Sequence, residues 1–362
     1  MQHILLNPGP VNISERVRNA LLRPDLCHRE PEFTNLQDNI RSNLLKIYGL
    51  PETEWAAILL TGSGTAAVEA MITSMVPDTG HVLIIENGVY GERMRQIAKT
   101  VHIPYTSLQY DWGSPVRIEE LTRALKKNNI THVAVVQHET TTGLLNNLAA
   151  IADICNEKNI PLLLDGVSSF GAETIKFRKW DIAACAATAN KCLHAVPGVS
   201  FVIVNRRHIE NSSITPRNVY LDLNNYLQQQ DAGGTPFTQS VQCFYALNEA
   251  LQELQDEGGW QQRQKLYRLR MKIVRDGLLS LGIVPYLDEV NCSCVLNAFQ
   301  LPKKLTYEKL HDILKVKGFV IYAGQEGLSK ILFRISAMGA IKEDDLHRLI
   351  KELKIILSPV SS

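Results

Sequence analysis

Between residues 55 and 205 the chain alternates short, unbroken apolar runs with stretches of helical period, and few folds accommodate that alternation. Residues 56–61, 81–86, 131–137, 161–165, 181–188 and 200–204 have the length and the unbroken apolarity of buried strands. Between them, residues 65–76, 89–100, 117–127 and 148–158 read as helices. A further helix is expected over 31–48, where Phe33, Leu36, Ile40, Leu44 and Ile47 recur three or four apart. Strands apolar on both faces need cover on both faces, which a parallel sheet with helical crossovers supplies. The expectation is a large α/β domain.

Beyond about residue 205 the pattern changes. Residues 211–239 are polar, with Gln228-Gln229-Gln230 and Gly233-Gly234 inside, and read as a functional loop. A helical region over 240–281 breaks near Gly258-Gly259. Strand (291–299), helix (306–317), strand (319–322), strand (331–336) and helix (342–356) then suggest a small α+β C-terminal domain.

Composition narrows the function. Thirty-eight basic and 37 acidic residues leave a net charge of +1, which gives no electrostatic case for nucleic acid. No apolar run approaches a membrane span, and the opening MQHILLNPGP lacks the features of a signal peptide, so a cytoplasmic protein is expected. The seven cysteines are scattered without a C-x-x-C pair, which points to reduced thiols and no metal centre.

Chemistry concentrates where strands end. Gly62-Ser63-Gly64-Thr65 joins a strand to a helix, so its close-approaching amides and the helix N-terminus can hold a phosphate. The same turn fits G-x-G-x-x-A, with Glu86 ending the next strand, and a dinucleotide site stays open on this segment alone. Asp165 ends the run Leu162-Leu163-Leu164, where such sheets place ligand sites. Residues 181–190 lead straight to Lys191, an amine at the mouth of a buried strand that could form a Schiff base. A phosphate cradle, an anion for a pyridine nitrogen and an imine-forming lysine together describe a pyridoxal phosphate site. Asn190 could position the ring or substrate, or simply shape the turn. The hydroxyls of Thr140, Thr141 and Thr142 could reach the cofactor or cap the loop, and Tyr90 could stack on the ring or fill the core.

These segments, in order along nearly the whole chain, resemble the fold-type I, class V aminotransferases. Carrying the resemblance are Leu6-Asn7-Pro8-Gly9-Pro10, Cys27-His28-Arg29-Glu30, Gly62-Ser63-Gly64-Thr65, Tyr90-Gly91-Glu92-Arg93, His138-Glu139-Thr140-Thr141-Thr142-Gly143, Asp165-Gly166-Val167-Ser168, Asn190-Lys191-Cys192, Gly318-Phe319-Val320-Ile321-Tyr322 and Phe333-Arg334-Ile335. The Cys-His-Arg-Glu, Asn-Lys-Cys and Gly-Phe-Val-Ile-Tyr segments point within the family to enzymes of 2-aminoethylphosphonate and pyruvate.

The resemblance implies a large, mostly parallel, seven-stranded-type sheet domain (15–250) that binds pyridoxal 5'-phosphate. It also implies an N-terminal substrate-site segment (1–14) and a small α+β domain (251–362). By it, Lys191 is catalytic and carries the cofactor. Asp165 holds the ring nitrogen, Tyr90 stacks, Thr140 and Asn190 flank the ring, and Ser63, Gly64 and Thr65 bind the phosphate. Gly9, Arg29 and Arg334 would meet substrate, and Thr235 the phosphate of a neighbouring subunit, making a homodimer. The expected reaction moves an amino group from 2-aminoethylphosphonate to pyruvate. Alanine–glyoxylate or serine–pyruvate transamination is the alternative, and a non-catalytic cofactor-binding protein stands behind both. Where the family usually has Tyr-Pro-Gly-Lys, this chain has Tyr322-Ala323-Gly324-Gln325, one cation fewer.

Overall fold

The computed structural model describes residues 3–358 apart from 128, 211–213 and 304. It opens with β1 (Ile4–Leu5), α1 (Glu15–Ala20) and α2 (Pro31–Lys46). Strands and helices then alternate through β2 (Trp55–Gly62), α3 (Gly64–Met75), β3 (Val82–Glu86), α4 (Val89–Thr100), β4 (Tyr105–Gln109), α5 (Ile118–Lys127) and β5 (His132–Val136). A small hairpin, β6 (His138–Glu139) and β7 (Leu144–Leu145), precedes α6 (Leu148–Asn156), β8 (Leu162–Asp165), β9 (Ile182–Thr188) and β10 (Gly198–Asn205).

Seven of these strands form one sheet in the order β2-β10-β9-β8-β5-β3-β4. All run parallel except β10, which is antiparallel to both neighbours. The exception has a local cause. Only the turn bearing Lys191 separates β9 from β10, too little chain for the crossover that a parallel return requires. Alternate side chains feed two cores. Leu59, Ile85, Val135, Leu164 and Ile203 pack under α2, α5, α6 and α9 (Val241–Asp256), while Ile58, Ile84, Val136, Leu163 and Val202 pack under α3, α4 and the segment 223–231. Each such aliphatic side chain contributes ~1.5–3 kcal/mol on burial.

Two departures from the expected elements concern this region. Tyr105–Gln109 is an edge strand whose polar, half-buried residues gave no apolar run. Part of the expected loop over 211–239 is helical: between α7 (Arg206–Glu210) and α9 lies α8 (Leu223–Asp231), capped by Asp222 and burying Leu223, Tyr226, Leu227 and Gln230. Its glutamines hide the helical period, yet Gln230 is structural, since its side chain bonds both N–H and C=O of Leu59 on the sheet edge. Asn211, where that loop was expected to start, lies outside the described residues.

The rest of the chain, α10 (Trp260–Ser280), β11 (Leu296–Gln300), α11 (Tyr307–Val316), β12 (Phe319–Val320), β13 (Tyr322–Ala323), β14 (Leu332–Ser336) and α12 (Glu343–Leu357), builds a third core. Leu6 and Val11 join it, because β1 pairs with β12. The expected strand over 319–322 is two, since Ile321 separates β12 from β13, which pairs with β14. The expected strand over 291–299 begins late. Glu173 captures the Ser293 hydroxyl (2.6 Å) and the Cys294 amide (3.1 Å), holding 292–295 off the ladder.

Candidate active site

A cavity of about 450 Å³ opens at the C-terminal ends of the parallel strands, lined by the 61–65 turn together with Tyr90, Arg93, Asp165, Asn190 and Lys191. The parts read separately from the sequence as phosphate turn, carboxylate and lysine thus converge on one space.

Ser63 caps α3 with extended backbone, which turns the first amides of a twelve-residue helix toward the cavity. Gly64 admits no side chain, since a Cβ there would lie 2.7 Å from Val167 Cγ1. Asp165 is buried at the end of β8 and accepts from the Val167 amide at 2.9 Å. Burial pushes its carboxyl pKa up, against the pull of Lys191 and Arg93.

Lys191 follows β9 through Ala189 and Asn190, and its Nζ lies 5.5 Å from the centroid of the Tyr90 ring. Burial raises the Tyr90 phenol, but the Lys191 ammonium together with the neighbouring Thr140 and Arg93 side chains outweighs this, leaving it below its usual value. Gly9 closes over the stem of the lysine, where a Cβ would lie 3.3 Å from Lys191 Cγ. Asn190 is held by the Thr188 hydroxyl at 2.7 Å.

Arg334, on β14, is buried, and burial lowers its pKa. Its Nε donates to the Ala323 carbonyl (2.8 Å) and its Nη1 to the Thr140 carbonyl (2.7 Å). The Thr140 hydroxyl is itself buried without a hydrogen-bond partner among the described residues.

Gly9, Thr140 and Arg334 do not line this cavity, Gly9 lying against Lys191 and Arg334 on Thr140, and Arg29 and Thr235 are not among its lining residues either. Arg29 is exposed in the turn that precedes α2. Thr235 is buried, accepting from Gln239 Nε2 at 2.9 Å, while Gln239 Oε1 accepts from the Thr61 hydroxyl behind the phosphate turn. Conversely, Arg93 and Glu139 are not among the expected site residues. Arg93 reaches Thr65 Oγ1 at 3.3 Å and lies 4.7 Å from the Tyr90 centroid. Its spacing of three from Tyr90 on a helix was the available signal. Glu139 is fully buried, and its signal was a lone carboxylate directly after a buried strand.

Among the described residues no group of three or more His, Cys, Asp or Glu side chains is placed to hold a metal ion, and no helix is long and apolar enough to cross a membrane.

The profile of the family described as aminotransferase class-V matches residues 14–349. The chain is 33% identical to the 2-aminoethylphosphonate–pyruvate transaminase of Bacillus cytotoxicus over 353 residues, 96% of each protein. It is also 33% identical to the enzyme of that name from Bacillus mycoides, over 97% of each. Among solved structures it resembles an alanine–glyoxylate aminotransferase from Nostoc (TM-score 0.92, 26% identity, 99% of this chain and 96% of that one). An aspartate aminotransferase of subgroup IV from Thermus thermophilus is similar too (TM-score 0.89, 28% identity, 98% of each).

Proposed function

The chain belongs to the class V aminotransferases, and from that membership we propose that it transfers the amino group of 2-aminoethylphosphonate to pyruvate, giving phosphonoacetaldehyde and alanine. The observation that carries the substrate is the end-to-end likeness to enzymes of that name at 33% identity. The cavity where Lys191, Asp165 and the 63–65 turn meet supports the chemistry.

The residues fit pyridoxal phosphate as cofactor. Gly64 leaves a backbone cradle that any side chain would fill, Arg93 adds a cation beside it, and the unpartnered Thr140 hydroxyl belongs to the loop at the same sheet edge. Ser63, Gly64, Thr65 and Arg93 would hold the phosphate, Asp165 the ring nitrogen, Tyr90 the ring face, and Lys191 the aldehyde carbon. When bound, the cofactor supplies an electron sink for the carbanion left by C–H cleavage.

The chain's own groups do the rest. Lys191 Nζ would accept and hold the proton of the donor's amine-bearing carbon, a role for which its place beside Tyr90 and under Gly9 is suited. Asp165, buried at the end of β8, would hold the proton of the ring nitrogen. Arg334 spends Nε and one Nη1 hydrogen on carbonyls, so the remaining hydrogens of Nη1 and Nη2 form an end-on fork for an anion. That fork takes the phosphonate of the donor and then the carboxylate of pyruvate.

We take residues 15–250 as the cofactor domain, 251–362 as the small domain, and 1–14 as the N-terminal substrate-site segment, whose Gly9 lies against Lys191. A homodimer accounts for Thr235 and Arg29, which lie off their own cavity, and for exposed Leu22 and Val219. All seven cysteines are free thiols, which suits the reducing cytoplasm. A sedimentation measurement giving a fully active monomer would refute the dimer.

The test of substrate is an initial-rate panel. Alanine formation from 2-aminoethylphosphonate and pyruvate should exceed turnover of serine with pyruvate, or alanine with glyoxylate, by about 10³ in kcat/KM, since those donors lack the phosphonate anchor. Equal turnover of serine would move the chain to serine–pyruvate transamination.

A further inference from the structure

Glu139 is a fully buried carboxylate, and none of its hydrogen-bond donors is a cation. Burying such a group is costly, so the bonds it makes indicate what it is for. Its Oε2 accepts from the amides of Tyr90 (3.2 Å) and Gly91 (3.3 Å), the second and third residues of α4. Its Oε1 accepts from the amide (3.2 Å) and hydroxyl (2.6 Å) of Thr141. The Thr141 hydroxyl in turn accepts from the Val89 amide at 3.0 Å.

The first three amides of α4 are therefore satisfied by the 139–141 turn. They have no cap of their own, since the N-cap residue is Gly88. Gly88 must lack a side chain for this, because a Cβ there would fall 2.3 Å from Glu139 Cδ. Tyr90 is one of the residues whose amide is gripped, and its ring centroid lies 5.5 Å from Lys191 Nζ and 4.7 Å from the Arg93 guanidinium.

We propose that Glu139 is a positioning residue that acts through Tyr90: by capping α4 from a neighbouring strand it fixes the aromatic face against which the cofactor ring is held. This rests on the cofactor assignment above. Glu139→Gln puts an N–H₂ group where four donors converge, so one side of the grip becomes donor against donor.

The test is a double-mutant cycle on cofactor affinity, read by absorbance titration of stripped protein with pyridoxal phosphate, in wild type, Glu139→Gln, Tyr90→Ala and the double variant. Tyr90→Ala keeps the backbone amide that Glu139 grips and removes only the ring. Glu139→Gln should weaken binding about tenfold in the wild-type background and leave it unchanged, within about twofold, in the Tyr90→Ala background. The same loss in both backgrounds would overturn the proposal and make Glu139 a structural cap alone. If Glu139→Gln fails to fold, Glu139→Asp, one methylene short of Tyr90, replaces it in the cycle with the same two outcomes. Wild-type protein that shows no saturable binding would overturn the cofactor assignment as well, whereas saturable binding with additive losses overturns only the role of Glu139.

Discussion

Arg334 donates from Nη1 to the carbonyl oxygen of Thr140 at 2.7 Å, so the guanidinium on β14 is braced on the turn between β6 and β7. With the bond from Nε to the Ala323 carbonyl, it ties β13, β14 and the 139–142 turn together. On the proposed reading, in which Arg334 takes the substrate anion, substrate orientation would depend on both segments that this hydrogen bond joins.

Arg334→Lys should cost more than its retained charge suggests. A lysine ammonium cannot bond two carbonyls and present a planar fork together. Steady-state kinetics should show kcat/KM lowered about 10- to 100-fold, the range for losing hydrogen bonds to a charged group. Unchanged kinetics would place the substrate anion elsewhere.

Lys191→Ala separates covalent attachment from cofactor binding. Borohydride treatment of wild-type protein should fix the cofactor on Lys191, detectable by peptide mass, and the variant should show no such adduct. Turnover should fall on the order of 10³-fold or more, as expected for loss of the proton-transferring group. Cofactor should still bind, because the Ser63–Thr65 cradle is made of backbone and a helix terminus.

Gly64→Ala tests that cradle directly. The new methyl would stand 2.7 Å from Val167 Cγ1, and overpacking of this kind costs roughly 1–3 kcal/mol. Cofactor affinity measured by titration should drop, and Val167→Ala in the same chain should restore part of it by clearing the clash.

The sheet could be read from the sequence because strands covered on both faces leave unbroken apolar runs, as at Leu162-Leu163-Leu164. Strand β4 could not, since an edge strand needs only one apolar side, nor could α8, whose helical face includes the buried Gln230. Lys191, Asp165 and the 63–65 turn could be found because each follows a buried strand, and a shared sheet edge brings strand ends together. Arg93 and Glu139 were hidden for the opposite reason. Each matters through a partner distant in sequence: Thr65 lies 28 residues from Arg93, and Tyr90 lies 49 from Glu139. The local signals at these residues, the Tyr90–Arg93 spacing and a carboxylate after a buried strand, do not identify such distant partners.

Ionisation of Glu139 should leave a mark on stability. Desolvation lifts its carboxyl to about 7 from an ordinary 4.5, even though the donors from Thr141 and Gly91 favour the charged form. The folded chain therefore holds a proton there that the unfolded chain has released between pH 4.5 and 7. Because the native state binds more protons in that window, this site's contribution to stability falls as pH rises through it, by about 3 kcal/mol at most over the full shift. The buried Asp165 carboxyl, also raised, adds a slope of the same sign, whereas His138, lowered to about 4 by burial, opposes it below its usual value of 6.5. Comparing cofactor-free wild type with cofactor-free Glu139→Gln cancels those two and isolates Glu139. Melting temperature should decline from pH 5 to 7.5 more steeply in wild type than in the variant, whose amide does not titrate. Parallel curves would mean that Glu139 is ionised throughout, and that the amides it grips outweigh its burial.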